Sequence, residues 1–111
     1  MSSSSDFFIK RGDRLPTLAR ALKFTDGSVI DLTGCTVRWR MRDKVGGTVM
    51  VDAPATIVSA TDGKVEYAWA SPDTDTVGHF VGEWQVTYPD AKVLTVPTLN
   101  FVTVHVGESL A

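Results

Sequence analysis

The sequence predicts an all-β protein, an antiparallel sandwich of seven to eight short strands. Three observations predict it. Apolar residues recur with period two, so side chains alternate between the two faces of extended chain. Turn pairs (Asp26-Gly27, Gly46-Gly47, Asp62-Gly63 and Pro89-Asp90) break the runs at spacings of about 8–12 residues, as in sandwiches and barrels. No long stretch places apolar residues at i, i+3, i+4 and i+7, so no amphipathic helix is expected.

Each element follows from its residues. Residues 1–6, including Ser2, Ser3, Ser4, Ser5 and Asp6, are polar and predict a flexible arm that orders on contact with a partner. Residues 7–106 form one domain, and 107–111 a short tail. Leu18 to Phe24 alternates weakly, with Leu18, Leu22 and Phe24 on one face and Arg20 among them. Cys35 to Arg42 is the clearest strand: Val37, Trp39 and Met41 face inward, while Thr36, Arg38, Arg40 and Arg42 face water. Lys64 to Trp69 aligns Val65, Tyr67 and Trp69. Ser71 to Thr76 has room for one helical turn, capped by Ser71 with Pro72 at its first position. His79 to Tyr88 aligns Phe80, Gly82, Trp84, Val86 and Tyr88. Leu99 to Val106 supplies the last strand, with Val102, Val104 and Val106 on one face.

About 100 residues and seven strands are the size of an immunoglobulin-like β-sandwich. Trp39 and Trp84 then sit on its two central strands and point inward. The cysteine pair of antibody domains is missing, because Cys35 is the one cysteine.

Composition narrows the function. The chain has 111 residues, 43% of them hydrophobic and 22% charged, enough for a single core. A formal charge of −2 argues against a globally basic nucleic-acid binder. No apolar run reaches ~18 residues, so no membrane span is expected, and the N-terminus shows no secretory signal. A lone cysteine fits assembly in a reducing compartment.

Chemistry-bearing patterns are sparse. One Cys and two distant His, His79 and His105, do not make a zinc motif. Asp73-x-Asp75 and Asp62-Gly63 lack the spacing and terminal Glu of a calcium loop, and read as turn and capping carboxylates. Cys35 reads as a small buried hydrophobe rather than a nucleophile. Gly46-Gly47 is a turn, since no helix follows to cradle phosphate. No catalytic, cofactor-binding or metal residue is assigned, and the chain is not expected to be an enzyme. Tyr67, Trp69, Phe80 and Trp84 have the look of a carbohydrate-stacking platform, but their alignment places them in the core.

Charge is more informative. Residues 1–44 carry +4 and residues 45–111 carry −6. The ladder of Arg38, Arg40 and Arg42 lies on one face of one strand. It either pairs across to Glu83 and Gln85 on the neighbouring strand or binds an acidic partner. The asymmetry also suits head-to-tail packing of identical copies.

Several segments are similar to a known family. Phe8-Ile9-Lys10-Arg11-Gly12-Asp13 with Leu15-Pro16, and Asp26-Gly27 through Asp31-Leu32-Thr33-Gly34-Cys35-Thr36-Val37, resemble the N-terminal immunoglobulin-like domain of phage baseplate upper proteins. So do Arg40-Met41-Arg42, Asp62-Gly63 through Trp69, Asp73-Thr74, Gly78 to Val86, and Pro89-Asp90-Ala91-Lys92, over about residues 7–106. Cys35 stands where the family often has Ala, and Phe80 replaces its usual Tyr. The resemblance implies a non-enzymatic virion component made in the bacterial host cytoplasm. Its partners would be other virion proteins or copies of itself in a ring or lattice, with no membrane and no nucleic acid expected. The regions that follow this domain in larger members are missing here, so a docking module alone is expected, in a tail tip, baseplate or collar. The alternatives are a capsid decoration protein on the same fold or a host-surface carbohydrate-binding module.

Overall fold

The computed structural model describes residues 5–98 and 101–110. Nine strands run in chain order: β1 (Ser5–Lys10), β2 (Leu18–Ala21), β3 (Thr36–Asp43), β4 (Val49–Pro54), β5 (Thr56–Ser59), β6 (Lys64–Tyr67), β7 (Gly78–Thr87), β8 (Val93–Val96) and β9 (Val102–Gly107). They form two sheets. The larger has the order β1-β9-β7-β3-β4, with β8 also paired to β7; the smaller has the order β2-β6-β5. This is an immunoglobulin-like sandwich, with the strand neighbours of the variable type. No helix forms among the described residues, so none crosses a membrane.

The last strand position is divided. β9 pairs with the first half of β7 and β8 with the second half, both antiparallel. That division, together with β1, raises the count above the expected seven or eight. β1 also departs from the antiparallel expectation, because it pairs parallel with β9, Ser5 opposite Val102 and Lys10 opposite Gly107.

Two expectations at the ends and one in the middle are corrected. Ser5 and Asp6 belong to β1 rather than to a flexible arm; hydrogen bonding to β9 gives their backbone a sheet partner. Ser2, Ser3 and Ser4 lie outside the described residues. Gly107 closes β9 instead of opening a tail. Residues 71–76 make turns, not a helical turn. There the Asp73 carboxylate faces inward and takes hydrogen bonds from Tyr67 Oη and the Ala70 amide.

The core lies between the sheets and follows the alternation. Val37, Trp39 and Met41 of β3 and Phe80, Trp84 and Val86 of β7 are buried. Trp39 and Trp84 sit opposite each other in register, ring centroids 4.8 Å apart. Gly82 makes room for this packing: a Cβ there would collide with the Trp39 ring and lie 2.8 Å from the Arg40 carbonyl. Tyr67, Trp69, Phe80 and Trp84 are all core residues, as their period predicts.

The turns use local side-chain chemistry. Asp26 Oδ1 accepts from the Ser28 amide at 2.9 Å and hydroxyl at 2.6 Å, and Asp31 does the same for Thr33. These bonds hold both carboxyls below the usual carboxylate range. Gly63, at φ 67°, lies against the carbonyls of Ile30 and Leu22, where a Cβ would not fit.

Candidate interaction face

The outer face of the larger sheet gathers the charged residues. Alternation along β3 sends Arg38, Arg40 and Arg42 outward, and antiparallel register sets them opposite Gln85, Glu83 and Val81 of β7. On the other side, β4 brings Asp52 opposite Arg40. Asp52, not Glu83, is the carboxylate that binds the ladder. Arg38 Nε donates to Asp52 Oδ1 at 3.0 Å, and Arg38 Nη2 donates to the Asp52 carbonyl at 2.9 Å. Arg40 Nε stands 3.5 Å from the same carboxylate oxygen, an ion pair without hydrogen-bond geometry. Arg38, by hydrogen bond, holds the Asp52 carboxyl below the usual range, and the charges of Arg38 and Arg40 add to this.

Arg42 and Glu83 make no ion pair among the described residues. They border an open groove of about 540 Å³ that also includes Val49, Val81 and Phe101. Val49 and Phe101 are exposed. Pairing with Asp52 also blurs the charge asymmetry read along the chain, since basic β3 is neutralised in part by acidic β4. Arg11 and Glu108 do likewise at 3.9 Å.

A second cluster occupies the other end of the same face. His79 of β7 and His105 of β9 are register partners, with Nδ1 atoms 2.8 Å apart. His105 Nε2 lies 3.0 Å from Asp6 Oδ1 on β1. Phe8 stacks on the His105 ring, centroids 4.6 Å apart and planes 12° from parallel. Asp6, assigned at the sequence level to an arm, is thus one member of a three-residue network. Its carbonyl also accepts from Arg20 Nη2 at 3.3 Å.

Neither Asp52 nor the histidine cluster was foreseen. The signal for the histidines was present: both fall on outward positions of alternating strands. Their being neighbours depends on which strands pair. Among the described residues, no group of three or more His, Cys, Asp or Glu is arranged to hold a metal ion. Cys35 is buried, and burial, with the nearby Asp31 charge, pushes its thiol up, away from a reactive thiolate. No protein-family model matches the chain, and no curated protein matches it.

Proposed function

We propose that this chain is a non-enzymatic virion structural protein, an immunoglobulin-like module that docks in a phage tail tip, baseplate or collar. One observation carries the reading: the outer face of the larger sheet is broad, charged and open. Arg42 has no ion-pair partner on it among the described residues, and Val49 and Phe101 are exposed beside it. Such a face, with exposed apolar residues next to charge, suits burial against another protein. The resemblance to baseplate upper proteins supplies the class of partner, other virion proteins. The carbohydrate-binding alternative finds less support, because the aromatic residues it invoked are buried.

The test is mass spectrometry and electron microscopy of purified particles. The protein should be present at fixed stoichiometry in the tail. The combined change Arg38→Glu, Arg40→Glu and Arg42→Glu should remove it from particles while the isolated chain stays folded. Absence of the wild-type protein from particles sinks the proposal. A position on the capsid surface favours the decoration alternative instead.

A further inference from the structure

We propose that His79 and His105 form a chelating site for a divalent transition-metal ion, with Asp6 as the residue that orients one ligand. The inference is independent of the virion reading.

For neutral imidazole rings the network assigns the tautomers. A carboxylate only accepts, so Asp6 takes the proton of His105 Nε2 at 3.0 Å. A neutral His105 ring then has a lone pair at Nδ1. That lone pair receives the Nδ1 proton of His79 at 2.8 Å. His105 is fixed on three sides: by Asp6, by the stacked Phe8 ring and by its own strand. His79 is exposed and free of the stack.

Replacing the shared proton by a metal requires the exposed His79 ring to swing aside, because the two Nδ1 atoms face each other along a hydrogen bond of 2.8 Å. The His79 proton moves to its exposed Nε2, so the ring stays neutral and both Nδ1 atoms present lone pairs. His105 keeps its Nε2–H on Asp6, the carboxylate–histidine–metal arrangement that raises ligand basicity and fixes ring orientation. The remaining coordination positions face solvent.

Imidazole nitrogen suits Cu²⁺, Ni²⁺ and Zn²⁺ alike, and Cu²⁺ leads the general affinity order of the divalent first-row ions.

The experiment titrates the full chain with Cu²⁺, Ni²⁺ and Zn²⁺, followed by calorimetry and, for Cu²⁺, electron paramagnetic resonance. One Cu²⁺ per chain should bind through two imidazole nitrogens, more tightly than Ni²⁺ or Zn²⁺. His79→Ala, at an exposed position, should keep the native circular dichroism, weaken Cu²⁺ at least tenfold and lose one nitrogen coupling. Asp6→Asn should weaken Cu²⁺ by about 10–100-fold while both nitrogen couplings remain. Failure of the wild-type chain to bind one Cu²⁺, or unchanged affinity in His79→Ala, overturns the site. Unchanged affinity in Asp6→Asn overturns the role given to Asp6.

Discussion

The Tyr67 hydroxyl donates to Asp73 Oδ2 at 2.5 Å, and both residues are buried. The same oxygen accepts the Ala70 amide at 2.9 Å, so one carboxylate ties β6 to the turn that follows it. Asp73→Ala strands one buried donor, the Tyr67 hydroxyl, and removes the part-buried bond to the Ala70 amide; it should cost about 1–3 kcal/mol in chemical unfolding, the usual penalty for an orphaned buried polar group. Tyr67→Phe should cost less, and the two changes should be non-additive, because they remove a shared bond.

The same contact sets an alkaline limit. Burial, then the hydrogen bond and charge of Asp73, pushes the Tyr67 hydroxyl well above the ordinary tyrosine value. The folded state therefore holds this proton more tightly than the unfolded chain. The stabilisation is fully present below about pH 10, the ordinary value, and is lost as the pH rises above it. Thermal unfolding between pH 8 and pH 11 should show a falling midpoint, with a shallower fall in Tyr67→Phe.

Gly82 and Trp39 are packed without space for a methyl group. Gly82→Ala drives a Cβ into the Trp39 ring. The ring is fully buried against Trp84 and has no open side to move toward. The change should cost at least about 1–3 kcal/mol, as overpacking does, and should alter the near-ultraviolet circular dichroism of the tryptophan pair. An unchanged unfolding midpoint would show that the pair yields.

Acid should act through turn and ladder carboxylates. The Asp26, Asp31 and Asp52 carboxyls are all held below the usual range, the first two by Ser28 and Thr33, the third by Arg38. Their contribution is present above about pH 4, the unfolded value, and is lost as pH falls below it. Unfolding midpoints should be level from pH 7 to pH 5 and drop beneath pH 4. Asp52→Asn at pH 7 should cost no more than about 1 kcal/mol, and less in high salt, because the pair is half exposed.

Much of this fold was legible in the chain. The Val37-Trp39-Met41 and Phe80-Trp84-Val86 faces follow from alternation alone, and the Asx-Gly turns fall where the strands end. Asp26 and Asp31 each bond a residue two positions on, which is also a local matter. Burial of Tyr67 and Trp69 was readable from the same period. The turn at residues 71–76 was not. Ser71-Pro72 has the form of a helix start, but the buried Tyr67 hydroxyl, six residues before Asp73, draws that carboxylate inward instead, and such a side-chain demand is not part of the helix-start pattern.

The sequence by itself determined the direction in which most strand side chains point, because that depends only on the neighbouring residues of the same strand; Phe24, aligned with Leu18 and Leu22 by period, lies beyond the end of β2 and is exposed. It placed Arg38, Arg40 and Arg42 on an open face and both tryptophans in the core. Tertiary structure decided who meets whom. Arg38 and Asp52 are 14 residues apart, His79 and His105 26, and Asp6 and His105 99. Such meetings depend on strand order and register, on β4 flanking β3 and β1 lying parallel to β9. Those are set by burial of the whole core, which single-strand periodicity does not encode.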